Sequence, residues 1–150
     1  MATFRFKLQA LLDLRIREED TSRKAFSTLM GQKHDIEQRL IGHQQMIQQG
    51  KELMRSGMVG TVDARALRMQ SHAALGLMRE AQAAAIALAG LGKRIQGART
   101  KLDNARSRRR AVEILRERRY EEWKLQEERR EVAALDDLAI SAAFRRESDS

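Results

Sequence analysis

The chain has 150 residues, with 29 basic and 21 acidic side chains, a net charge of +8, no proline and no cysteine. Alanine, arginine, leucine, glutamate and lysine supply 80 of the 150 residues, a composition suited to long helices or coiled coils and not to a turn-rich globule. The missing cysteines exclude a disulfide framework, a thiolate nucleophile and a cysteine-based zinc site, and the scarcity of β-branched and aromatic residues, with no period-two alternation, excludes strands.

In chain order, residues 1–7 carry no hydrophobic core of the signal-peptide kind. The first helix is predicted over residues 4–56. Its heptad core positions are Leu8, Leu12, Arg15, Glu19, Ser22, Phe26, Leu29, Lys33, Ile36, Leu40, His43, Ile47, Gly50 and Met54. The apolar seam is good over 26–47 and weak over 15–22. Glycines then gather in Ser56-Gly57-Met58-Val59-Gly60-Thr61, and a reversal is predicted over 57–62, with Gly57 as the residue past the helix. Thr61 or Asp63 stands where a cap of the next helix is needed. The second helix is predicted over 63–143, with 144–150 as a tail. Its core positions Leu67, Gln70, Ala74, Leu77, Ala81, Ala84, Leu88, Leu91, Ile95, Ala98, Leu102, Ala105, Arg109 and Val112 keep spacings of three and four without a slip, and twelve of the fourteen are apolar. A register of that length marks a coiled coil. Gly76, Gly90, Gly92 and Gly97 interrupt it, each at roughly 1 kcal/mol relative to alanine, and permit close helix approach or bending.

The predicted fold class is all-α: a single domain over 1–150, two long helices forming an antiparallel coiled-coil hairpin, helix 2 longer than helix 1. At ~1.5 Å per residue the helices are roughly 80 and 120 Å long. A turn near Val59 puts residue i opposite roughly residue 119 − i. Phe26, Leu29 and Ile36 then face the alanine-rich stretch 81–95, large against small. Helix 1 runs out near residue 115, which leaves 116–143 without an internal partner, and such a helix is marginal alone. The longest apolar run, 83–92, is about ten residues against the roughly 20 that span a bilayer. No transmembrane segment is expected, and the default is a soluble cytoplasmic protein.

Charge is uneven. Residues 1–63 carry 10 basic and 8 acidic groups, residues 64–110 carry 11 and 2, and residues 111–150 carry 8 and 11. The basic peak at 93–110 has three readings: pairing across the hairpin with Asp13, Glu18, Glu19 and Asp20, an acidic protein partner, or nucleic acid. Stacking aromatics, which a nucleic-acid module would add, are missing between Phe26 and Tyr120. Trp123, on the charge-dense stretch 106–131, is either packed locally or a docking anchor. Met46, Met54, Met58, Met69 and Met78 gather at the turn end, where they cap the core, offer an adaptable surface, or both. No Gly-rich phosphate loop, Cys/His cluster or Gly-x-Ser-x-Gly turn is present. His34, His43 and His72 are scattered, and His43 with His72 is the pair that a hairpin would bring closest. The expectation is therefore no enzyme, with no catalytic, metal or cofactor-binding residue and no cofactor.

Two segments carry a family likeness: Phe4-Arg5-Phe6-Lys7-Leu8-Gln9-Ala10-Leu11-Leu12-Asp13-Leu14-Arg15 followed by Glu18-Glu19, and Arg109-Arg110-Ala111-Val112-Glu113 with Leu115-Arg116-Glu117-Arg118-Arg119, Glu128, Glu131 and Leu135-Asp136-Asp137-Leu138-Ala139. With the length and the hairpin, they resemble the FliJ family of the bacterial flagellar type III export apparatus. The resemblance implies a cytoplasmic protein, peripheral to the inner membrane at the flagellar base and serving motility. It implies a stalk-like partner that docks in the ring of the export ATPase (FliI-like), contacts the export-gate protein (FlhA-like) and escorts export chaperones. Carried over, it places Leu12, Arg109, Arg116, Arg119 and Trp123 at the ring-facing end, and Gln38, Ile41, Gln45, Met69 and His72 on the gate-facing surface. The alternatives are a basic coiled coil that binds nucleic acid and a self-assembling structural protein, the latter from the apolar stretch 83–92.

Overall fold

The structure, a computed structural model, describes residues 3–148. Helix α1 spans Gln9–Gly57 (49 residues) and α2 spans Ala64–Ser148 (85 residues). The fold is all-α, two long helices in a hairpin with the second longer. Good helix formers at most positions and the absence of proline let both run unbroken.

α1 starts at Gln9, not at residue 4. The amide of Gln9 donates to the carbonyl of Phe6 at 3.1 Å and that of Leu12 to Leu8 at 3.0 Å. Ahead of them the chain leaves the helix, and Phe4 lies against Tyr120 and Trp123 of α2. The reversal also differs from expectation. Gly57 ends α1 instead of following it, and the left-handed backbone falls on Gly60, with φ of 89°, where only glycine sits without strain. Asp63 is the cap: its Oδ1 accepts the amides of Arg65 at 3.0 Å and Ala66 at 3.4 Å, which would otherwise be orphaned. Asp63→Ala is expected to cost about 1 kcal/mol, read as a lower midpoint in thermal melting by circular dichroism, with Asp63→Asn close to wild type. At the far end α2 continues past residue 143 to Ser148. Nothing in Phe144-Arg145-Arg146 breaks a helix, and both arginines stand in the last turn, where the helix dipole favours cations.

Contacts divide the chain into two units, one of Met1–Glu19 with Ala105–Ser150 and one of Asp20–Asn104. The second holds the turn. Leu91 and Leu102 are buried there, and Ile36, Arg39 and His43 of α1 face Glu80, Ala83, Ala84 and Ala87 of α2. This is the large-against-small packing foreseen, but about one helical turn further along. His43 Nδ1 lies 3.5 Å from Glu80 Oε2, where a turn at Val59 would have supplied residue 76. In the first unit Leu12, Glu19 and Ala105 are buried. Glu19 meets Arg106 and Arg109 where residue 100 was expected. With α1 ending at Gly57 and α2 starting at Ala64 the reversal is centred past Val59, in the direction of this displacement.

All fourteen seam positions of α2 are buried or half-buried, as are thirteen of the fourteen on α1; Leu8, in the turn ahead of α1, is exposed. Intramolecular cover along α2 persists to Glu127, and residues 128–147 are exposed throughout. The unpartnered stretch thus begins about a dozen residues later than residue 116; the shifted alignment contributes to this, since it sets Phe4 beside Tyr120 and Trp123 instead of residue 115.

The interrupting glycines do not serve close approach. A Cβ at Gly76, Gly90, Gly92 or Gly97 would meet nothing within 4 Å. Gly90→Ala is therefore expected to stabilise by about 0.5–1 kcal/mol, seen as a raised thermal midpoint. By length and composition α2 is also apolar enough to cross a membrane, which the expectation built on a ten-residue run overlooked. Ala74, Ala81 and Ala84 of this helix are half-buried on its seam with α1, and insertion would either break that pairing or carry Lys33, Glu37 and Arg39 of α1 into hydrocarbon.

Candidate functional site

The first unit holds all five residues expected at the ring-facing end. At its centre is Glu19, 3% exposed, on a seam position. Arg109 Nε donates to Glu19 Oε2, and Arg106 Nε lies 3.7 Å from Glu19 Oε1. Arg109 also donates through Nη1 to Glu113 Oε1 at 2.6 Å. Arg110 Nη1 reaches Glu113 Oε2 at 3.3 Å and Glu117 Oε1 at 3.2 Å. The weak part of the α1 seam is thus a polar junction in which one carboxylate and one guanidinium occupy facing core positions. Among the described residues no buried side-chain nitrogen or oxygen lacks a hydrogen-bond partner, as burial of charge requires.

The network sets charge states. The hydrogen bond from Arg109 holds the Glu113 carboxyl below its ordinary value; desolvation pushes the other way, and Arg110 adds to the lowering. Arg109 is raised by Glu113 first and by Glu19, and Arg110 by Glu113 and Glu117. A carboxyl depressed in the folded state stabilises fully above its unfolded value, and the contribution is lost as pH falls through the folded one. Thermal stability should therefore hold near neutrality and fall on acidification below the ordinary glutamate value of 4.5. Melting curves across that range should show a shallower acid slope for Glu113→Gln.

Beyond the network an aromatic cluster closes the end. Phe4 stands edge-on to Tyr120, ring centroids 5.4 Å apart at 80°. Phe4 and Trp123 are 5.8 Å apart, and Tyr120 and Trp123 5.9 Å. Such tilted arrangements suit the ring quadrupoles. The same crossing leaves a cleft of about 500 Å³ with Phe4, Phe6, Leu8, Leu115 and Trp123 as apolar walls and Arg5, Lys7 and Arg119 around them. Arg119 pairs with Glu122 at 3.0 Å and stays 62% exposed. Of the expected ring-facing residues, Leu12 is buried and Arg109 engaged, Trp123 is half-buried, and Arg116 and Arg119 are exposed. Trp123 packs locally against Phe4 and Tyr120, and its cleft is open to solvent.

The expected gate-facing residues lie in the second unit. Gln38, Ile41, Gln45, Met69 and His72 are all exposed. Met46, Met58, Met69 and Met78 are exposed as well, and Met54 is half-buried in the seam. His43 is engaged by Glu80, not by His72, and among the described residues no cluster of three metal-ligating groups occurs. Of the acids expected to face the basic peak, Glu19 crosses to α2, whereas Asp13, Glu18 and Asp20 bond to Gln9, Arg15 and Arg23 of their own helix. Lys93, Arg94, Arg99 and Lys101 remain exposed. Phe4 and Tyr120 were missed by sequence reasoning. The available signal was that, outside Phe26 and Phe144, all the aromatics stand at positions 4, 6, 120 and 123, which a hairpin brings to the same end.

No curated protein and no solved structure matches the chain significantly. The family model described as Flagellar FliJ protein matches residues 4–148. The chain therefore belongs to the FliJ family and is a component of the flagellar export apparatus.

Proposed function

We propose that the chain is a non-enzymatic, stalk-like partner of the FliI-like export ATPase hexamer, which also contacts an FlhA-like gate protein and export chaperones, and through them resides at the cytoplasmic side of the inner membrane at the flagellar base. The observation that carries this reading is the terminal unit. It combines an aromatic- and arginine-lined cleft with a helix whose exposed residues continue for about five turns past the last half-buried one, Glu127. A long exposed helix is suited to insertion among partner subunits, which would supply the cover it lacks. On this reading Arg116, Arg119 and Trp123 meet the ring, while Leu12 and Arg109 hold the shape of that end from within. Gln38, Ile41, Gln45, Met69 and His72 form the gate contact. Met46, Met58 and Met78 extend the adaptable surface around it.

The test is reconstitution with the cognate ATPase. Hexamer assembly, read by mass photometry, and ATP hydrolysis should both rise on addition of the full chain. No binding and no stimulation would sink the proposal.

A further inference from the structure

The exposed part of α2 is not uniformly polar. Leu125, Val132 and Leu135 are 54%, 58% and 65% exposed, and with Ala139 and Ala142 they recur at spacings of seven, three, four and three, which form one stripe on a helix. Leu125 follows Trp123 by two residues, roughly 200° around the axis. The stripe therefore lies on the side of α2 away from the one that packs on the N-terminal segment, and it does not continue the hairpin seam. Leu125, Glu128, Arg129, Val132, Ala133 and Asp136 line a shallow groove of about 440 Å³ there. Arg130 is held by Glu127 at 2.7 Å, but Arg129 and Asp136, on the flank of the stripe, form no ion pair among the described residues.

We propose that this stripe takes a second copy of itself, laid antiparallel about a two-fold axis between residues 132 and 135. In coiled-coil terms Leu125, Val132 and Ala139 are one set of core positions, and Glu128, Leu135 and Ala142 the other. An antiparallel pair then layers Val132 on Leu135 of the second copy twice at the centre, with Leu125 on Ala142 outside. Each Arg129 meets Asp136 of the second copy, so two ion pairs flank the axis. The parallel arrangement would instead set Lys124 against Arg129 and Glu131 against Asp136, like charge on like at both sites. Antiparallel pairing leaves one such meeting, Lys124 with Arg145, at the solvated outer ends. Self-complementarity of one patch about a two-fold is what an isologous dimer requires. The stripe lies on the same exposed helix that the ATPase reading covers with ring subunits, but on the face opposite the aromatic cleft, and self-association of the free chain is measured without the ATPase, so failure of one reading is distinguishable from failure of the other.

The test is self-association of the full chain by sedimentation equilibrium over micromolar to millimolar concentration. A reversible monomer–dimer equilibrium is expected. Arg129→Asp and Asp136→Arg should each weaken it at least about tenfold, and an equimolar mixture of the two variants should recover it as a heterodimer, since every flanking pair is then attractive. Val132→Glu should abolish it. All these side chains are exposed, so helicity and melting of the monomer should not change. A chain that stays monomeric throughout overturns the proposal, and so does a dimer indifferent to charge reversal or a mixture of the variants that fails to recover.

Discussion

Replacing Glu19 with alanine should destabilise the paired ends by about 2 kcal/mol, a large effect for one surface-type residue on a helix. The reason is position. Glu19 occupies a seam site and is 3% exposed, and it holds Arg109 and Arg106 from the facing helix. Its removal leaves a guanidinium at a core position with Glu113 as its remaining carboxylate. Replacing both Glu19 and Arg109 with leucine should restore much of the lost stability, because an apolar pair needs no compensating charge. The double variant should lose something else. An apolar seam of nearly uniform small and medium residues can slip by a heptad, and a charged pair buried at one level marks a single alignment. Thermal melting of the single and double variants gives the coupling, and a spin-label distance between residues 33 and 87 gives the alignment. A Glu19→Ala chain that melts like wild type would remove the argument. A double variant that keeps a single narrow distance would remove its second half.

Much of this was legible from the sequence, and the boundary of legibility is physical. The seam of α2 could be read position by position because three-and-four spacing is a local property of one helix. The same spacing placed Glu19 and Arg109 on core positions, where they looked like defects. Their partnership joins residues 90 apart, and it becomes visible only once the alignment is fixed. The alignment in turn depends on where the reversal is centred, and glycine count alone did not separate Gly57 from Gly60. That error of one turn moved the expected end of pairing. The start of α1 failed for another reason. Residues 4–8 have no helix breaker, and what draws them off the helix is the aromatic face of Tyr120 and Trp123, a tertiary preference that overrides a weak local propensity. At the candidate site Arg116, Arg119 and the five gate-facing residues are exposed, whereas Leu12 is buried and Arg109 is held by Glu19 and Glu113.

Trp123→Ala is the change expected to affect partner binding most. Trp123 is half-buried, touches Phe4 and Tyr120, and forms one wall of the terminal cleft. Truncation should cost about 2 kcal/mol locally, roughly half of what a fully buried tryptophan forfeits. Phe4 would lose the ring it leans on, and residues 3–8 should detach from α2. Helicity should barely change, because those residues precede α1. This separates two roles. If the cleft is a contact for the ATPase ring, Trp123→Ala should reduce stimulation of ATP hydrolysis at least about tenfold, and Trp123→Phe should keep most of it. If the cluster only anchors the N-terminal segment, binding should follow stability and recover when the segment is held in place by a disulfide engineered between residues 4 and 120. The chain's single tryptophan supplies its own reporter: Phe4→Ala should shift its emission to the red as water enters, and added ATPase should shift wild-type emission to the blue. Unchanged emission on formation of the complex would place the ring contact elsewhere, most directly at exposed Arg116 and Arg119, whose reversal to glutamate should then abolish stimulation while Trp123→Ala spares it.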